Sequence, residues 1–320
     1  MTLDDLPPLF LRVLAVMLGL IWGSFLNVVI YRVPRGLSVV RPGSQCPGCA
    51  TPIKPWDNVP VFGFLWLRGR ARCCGAKLSP RYPIVEAIGG VLGLAILETI
   101  VFRMPGATSA ELAGAIFVVH FALALALVAA AFIDLEHMIL PDTVTLGGTI
   151  LGLLSAPLRG VAFFDSFVGA AIGFTIVWLP LIALYSKLRG RAGMGLGDAK
   201  LLMLAGAWFG WEGALFVLGA GAIQGSVAAL VTLLWRGKIE EPEAVRRERE
   251  ELRDELATMT AEEREAVEKE LAADPLAQEP GEGLGQARIA FGPFLILATL
   301  ECMLIGKDTL LGWFLGVDGG

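Results

Sequence analysis

The sequence predicts an all-α polytopic integral membrane protein with about eight transmembrane helices and a small cysteine-rich loop domain. Three observations predict it. Of the 320 residues, 55% are hydrophobic, and the mean hydropathy of +0.66 lies above that of soluble domains. Apolar runs of about 20 residues, the length that crosses a bilayer core, recur along the chain. Between two of these runs, residues 32–83 collect four of the five cysteines. The short alternating segments of a transmembrane β-barrel do not occur.

The apolar segments cover 9–31, 84–103, 112–133, 143–158, 163–186, 199–210, 213–235 and 290–315. The fourth and sixth are short and contain glycine. This divides the chain into a first transmembrane helix (1–31), a cysteine-rich loop domain (32–83), a transmembrane core (84–235), a charged insert (236–289) and a last transmembrane helix (290–320). The opening stretch "MTLDDLPPLF" has two acids and no basic residue, which predicts a retained first span instead of a cleaved signal peptide.

Charge is uneven. The formal net charge is −5, yet residues 237–288 hold 16 acidic and 8 basic side chains, leaving the remainder net positive. Nucleic acid is not an expected partner, because no basic patch interleaved with aromatics exists. Segments 32–83, 187–200 and 236–290 carry 22 of the 26 Lys and Arg residues. With eight spans these segments share one side with 134–142, and the positive-inside rule makes that side cytoplasmic. Within the insert, "TAEE" (Thr260 to Glu263) reads as a capping box. Val245, Leu252, Leu256 and Met259 mark the apolar side of the first of two short amphipathic helices, and a Pro/Gly-rich tail follows. The insert fits an interaction arm as well as a solvated, partly disordered segment.

Ionisable residues in or beside spans are functional candidates. Asp134 closes the apolar run "FALALALVAAAFID", and Asp198 follows the glycine turn "GMGLG" and opens another run. The topology puts both on the cytoplasmic side at similar depth. Two carboxylates close together share one proton, so one can accept a proton from water while the other polarises a carbonyl. Glycines at 193, 195 and 197 would let a substrate strand approach closely. An aspartate that starts a helix also reads as an N-cap, a reading open for Asp198 and favoured for Asp142 in "LPDTVTL". Glu86 reads as a first-turn acid of the second span, Glu136 and His137 as polar loop residues, and His120 as a packed span residue. No H-E-x-x-H metal site or rhomboid-type G-x-S-G serine is present.

"CPGC" supplies Cys46 and Cys49, and "RCCG" supplies Cys73 and Cys74. On a cytoplasmic loop this set favours a four-cysteine structural zinc site over disulfides. A three-ligand or empty site is the alternative, because the second pair is adjacent. Zinc would hold together a loop too small for its own core. Cys302 reads as a small buried hydrophobe.

Five stretches, "GSFLNVVIYRVP", "CPGCATPIKPWDNVPVFGFLWLRGRARCCGAKLSPRYPIVE", "FIDLEHMILPD", "GLGDAKL" and "FGPFL", occur in order. Together they resemble the bacterial type IV prepilin peptidases, the GxGD aspartic proteases that act as leader peptidase and N-methyltransferase in type IV pilus and type II secretion systems. The resemblance runs from about residue 15 to 235 and resumes near 288. It implies cleavage of prepilin or pseudopilin leaders after a glycine, on the cytoplasmic side of the bacterial inner membrane. Methylation of the new N-terminus with S-adenosylmethionine would follow. It places the catalytic pair on Asp134 and Asp198 and the zinc-type loop on residues 46–74. Partners are then prepilins or pseudopilins and membrane lipid. The chain departs from the family in two places. Ala71 stands where the family usually has a cysteine, and the insert is longer and more charged. The other readings are a peptidase without methyl transfer and a transport protein whose aspartates carry protons. No glycine-rich nucleotide turn follows a strand, so the methyl donor's residues are not identifiable, and a place in or beside the first cytoplasmic loop is expected.

Overall fold

In this computed structural model the chain is helical. The structure describes residues 1–189, 193–237, 242–260, 264, 267, 290–307, 309, 310 and 312. Among the described residues there are ten α-helices: α1 (Pro8–Arg32), α2 (Phe62–Trp66), α3 (Arg81–Thr99), α4 (Ala110–His137), α5 (Asp142–Ser155), α6 (Phe163–Val177), α7 (Tyr185–Arg189), α8 (Leu196–Arg236), α9 (Glu243–Thr258) and α10 (Gly292–Ile305). A π-helical turn, Trp178–Leu184, joins α6 to α7.

Every apolar segment of the sequence carries a helix, but the helices differ in reach. Among the described residues, five stretches are long and apolar enough to cross a membrane: Pro8–Arg32, Arg81–Arg103, Ala110–His137, Phe163–Leu188 and Leu196–Trp235. The protein is therefore multi-pass. Helices α5 and α10 have 14 residues each, about 21 Å at 1.5 Å per residue, short of a hydrocarbon core about 30 Å thick. Helix α8 combines two expected segments. Gly210 breaks it with φ 74° and ψ 179°, a backbone conformation open mainly to glycine.

The chain forms two compact units. The first comprises Met1–Ala130, Ile150–Phe163 and Met303–Gly320. Its helices α1 and α3 pack backbone to backbone. A Cβ on Gly19 would run into the Gly89 carbonyl, and one on Gly23 would stand 2.8 Å from the Glu86 Cα. Small residues spaced by four permit this approach, which dispersion alone must stabilise where lipid removes the hydrophobic drive. Leu3, Ala15, Leu97, Val101 and Ala113 form a buried cluster, with Leu11, Phe102 and Phe117 against it.

The second unit comprises Ala131–Thr149 and Phe164–Cys302. Gly169 of α6 abuts Gly206 of α8 in the same manner. The Ser166 hydroxyl donates to the Ala207 carbonyl at 2.5 Å, and the Trp208 indole donates to the Gly148 carbonyl at 2.9 Å. Helix α9 is the first amphipathic helix expected in the insert, with Val245 buried and the opposite face exposed. Most of the "TAEE" box, the second amphipathic helix and the Pro/Gly-rich tail lie outside the described residues.

Candidate active site and cysteine cluster

Asp134 is in the last turn of α4. Met138 stops that helix by taking φ +55°, and its N–H donates to the Asp134 carbonyl at 2.8 Å. The chain then turns through Leu140 and Pro141 into α5. The Asp134 carboxylate is buried and receives a hydrogen bond from the Gly292 backbone. Gly292 is the first residue of α10, where helical N–H groups have no partner within their own helix. Pro293, next along, has no N–H to offer.

Asp198 is the third residue of α8, whose N-cap is Gly195. Its carboxylate bonds to the Gly195 backbone and lies close enough to Asp134 to interact with it electrostatically. Asp198 is therefore not the N-cap of α8, which is Gly195; its carboxylate instead returns from the third helical position to the N-cap backbone. The glycine turn ahead of it is anchored, because the Gly193 N–H donates to the Leu181 carbonyl in the π-helical turn at 2.8 Å. A wider π-turn frees such carbonyls from the ordinary α-helical ladder. Leu140 packs beside both glycine positions: added Cβ atoms on Gly197 and Gly292 would lie 3.1 Å and 3.0 Å from it.

The remaining acids have other positions. Asp142 is the first residue of α5, not the residue capping it, and is exposed. Its Oδ1 pairs with Lys200 Nζ at 2.6 Å. Glu86 is not a first-turn acid. It is the sixth residue of α3, buried, and accepts the Val61 N–H at 2.6 Å, with Ser24 also bonding to it. His120 Nδ1 contacts the Ile116 carbonyl at 2.8 Å, the satisfied packing position expected of it. Cys302 is buried. The sequence reading assigned no contact to Gly292, Lys200 or Val61. Only the "FGPFL" stretch, with its Gly-Pro at a helix start, carried a signal for the first.

The cysteine loop contains two matching turns. The Cys46 N–H donates to the Thr51 carbonyl and the Ala50 N–H to the Cys46 carbonyl, both at 2.9 Å. In the second turn the Ala71 N–H donates to the Ala76 carbonyl and the Gly75 N–H to the Ala71 carbonyl, both at 2.8 Å. Ala50 and Gly75 occupy the same left-handed position, at φ 56° and 72°. By this correspondence Ala71 stands where the first turn has Cys46, and Cys74 where it has Cys49. Cys73 is then the additional thiol.

The four Sγ atoms lie within 4.8 Å of one another. Cys46 and Cys74 are 3.6 Å apart, and Cys49 and Cys73 3.2 Å. A tetrahedral zinc with bonds of about 2.3 Å needs sulfur separations of about 3.8 Å, so the donor set fits that ion. The hydroxyl and backbone of Thr51, with Cys73 beside them, hold the Cys49 thiol down to about 6. Cys49, followed by Cys46, pushes Cys73 up to about 12. The Arg72 guanidinium forks onto Asp57 at 2.7–3.1 Å and holds that carboxyl below its usual range.

Residues 17–100 match the bacterial peptidase A24 N-terminal domain, and residues 121–230 match the type IV leader peptidase family. The "Prepilin leader peptidase/N-methyltransferase" of Myxococcus xanthus (strain DK1622) is 37% identical, over 96% of this chain and 94% of its own. The proteins of the same name from Pectobacterium carotovorum subsp. carotovorum and Neisseria gonorrhoeae are 39% and 36% identical. They align with 69% and 70% of this chain and with 81% and 83% of their own. No solved structure matches the chain. Two family matches along the sequence and a relative aligned over almost its whole length leave one assignment: the chain belongs to the type IV leader peptidase family.

Proposed function

We propose that this protein is a membrane aspartic endopeptidase that removes the leader of type IV prepilins or pseudopilins and N-methylates the new N-terminus. The observation that supports the peptidase half is that the Asp134 carboxylate, held by the Gly292 backbone, lies within electrostatic range of that of Asp198. One carboxylate is ionised and takes a proton from a water, whose oxygen attacks the scissile carbonyl carbon. The other is protonated and donates to the carbonyl oxygen as charge develops there. Collapse of the tetrahedral adduct breaks the C–N bond, and the departing amine takes the proton first removed from water. The glycines at 193, 195 and 197 let the turn pack closely against Leu181, Asp198 and Leu140.

In this reading all eight apolar segments cross or enter the bacterial inner membrane, with the dyad facing the cytoplasm. The division into 1–31, 32–83, 84–235, 236–289 and 290–320 is kept, with 84–235 as the peptidase core. Cys46, Cys49, Cys73 and Cys74 would hold a structural zinc. S-adenosylmethionine would supply the methyl group as an electrophile. The described residues form no strand that could carry a nucleotide-binding turn, and no step is derived through the donor.

The test is mass analysis of a prepilin with a Gly-Phe junction, co-reconstituted with the enzyme and methyl donor in vesicles. Loss of the leader together with the mass of one methyl group on the new N-terminus supports the full reading. Leader loss without methyl transfer reduces it to the peptidase. An intact prepilin contradicts it and favours aspartates that carry protons.

A further inference from the structure

The cysteine loop carries an exposed apolar face that neither the dyad nor the metal explains. Trp56 is 63% exposed, Phe62 65%, Leu65 63% and Trp66 82%. Side chains of this size are seldom left uncovered in so short a stretch of a water-soluble surface. They belong to a rigid platform. A Cβ on Gly63 would collide with the Asp57 carbonyl, so α2 lies directly on the 3₁₀ turn Pro55–Asn58. Arg72 locks that turn through Asp57.

The height of the platform is set by one bond. Pro60–Val61–Phe62 form a γ-turn: Val61 takes φ 62° and ψ −51°, and the Phe62 N–H donates to the Pro60 carbonyl at 2.6 Å. This is the strained form of that turn, unusual for a β-branched residue. The Val61 N–H points away and donates to Glu86. Glu86 is five residues into α3, one of the helices long and apolar enough to span. Helical side chains lean toward the N-terminus of their helix, so the carboxylate reaches the level of the first turn of α3. Phe62 follows Val61 directly and is thereby held at the level of the first turn of α3. Exposed cations accompany these residues: Lys54 is stacked over Trp56 at 5.4 Å, and Arg68 and Arg70 follow Trp66 in the chain.

We propose that the face formed by Trp56, Phe62, Leu65 and Trp66 is a lipid-binding surface. It seats in the headgroup layer of the bilayer that α1 and α3 cross, and it takes anionic phospholipid. Tryptophan and phenylalanine over an apolar layer, with Lys and Arg at the rim, is the chemistry of membrane-interface anchors. The rim cations add attraction to anionic headgroups. The tether to Glu86 favours lipid over a soluble partner, since it fixes the face at interface depth.

The test uses the full chain in phosphatidylethanolamine vesicles with or without phosphatidylglycerol, carrying the photoreactive residue p-benzoylphenylalanine in place of Trp66. A matched chain carries it in place of Pro47, which is exposed on the first cysteine turn. Irradiation should give lipid adducts at position 66 and not at 47. The yield should be higher with phosphatidylglycerol and should fall several-fold when Arg68→Ala and Arg70→Ala are added. Equal lipid adducts at 66 and 47, or none at 66, overturn the proposal. Adducts at 66 that form only with added prepilin also overturn it and make the face a substrate surface. Thermal melting of each variant identifies any that does not fold. In that case Phe62, replaced in the same way, supplies the readout.

Discussion

The backbone of Gly292 hydrogen-bonds to the carboxylate of Asp134, and a Cβ on Gly292 would stand 2.5 Å from Asp134 Oδ2. The first residue of α10 thus both holds the aspartate and leaves it room. Gly292→Ala must displace the carboxylate, and a shift near 1 Å in a reacting group costs on the order of 10²-fold in rate. Cleavage by this variant should fall by about that factor while its thermal melt stays close to wild type. Near-normal cleavage would show that this contact does not position the acid.

Asp142, exposed, pairs with the partly buried Lys200, and pairs at the surface contribute about 0–1 kcal/mol. Asp142→Asn should leave cleavage within about threefold of wild type and stability within about 1 kcal/mol, read by initial rates and thermal melts. A loss comparable to that of a dyad variant would move Asp142 into the chemistry.

The matching cysteine turns predict one zinc per chain, measured by elemental analysis of purified protein. Cys73→Ala should lose it. Ala71→Cys introduced into that variant should restore it, because position 71 corresponds to Cys46. Bound zinc requires thiolates, so protons compete with it. Zinc release should therefore quicken as the pH falls. Metal content unchanged by Cys73→Ala would contradict a four-sulfur site.

The proposed dyad predicts a bell-shaped pH profile for cleavage. Activity should fall at low pH, when both carboxyls are protonated, and at high pH, when the shared proton leaves. Initial rates across pH on one prepilin test this, and a profile with one limb contradicts a paired acid and base.

The sequence made the helices legible because each apolar run is a strong local signal. It also made the two aspartates legible, since a carboxylate at a span's end is costly. Spatial partners were not legible. Glu86 read as a first-turn acid because the span was expected from residue 84, whereas its helix starts at Arg81, and its partner Val61 lies 25 residues away. Asp142 read as a cap because Lys200 is 58 residues away. The vacancy at Ala71 was visible in the motif, but which thiol fills it depends on how the two turns fold against each other. Segments 199–210 and 213–235 read as two spans, but they form one helix with a kink at Gly210.

The most direct measurement is cleavage of a Gly-Phe prepilin in membranes by wild type, Asp134→Asn and Asp198→Asn. Asparagine keeps the shape and removes the ionisable proton. The account predicts that each single variant inserts normally and loses on the order of 10³-fold or more of the wild-type rate. Near-normal cleavage by either variant would contradict the dyad and leave that aspartate a purely structural carboxylate.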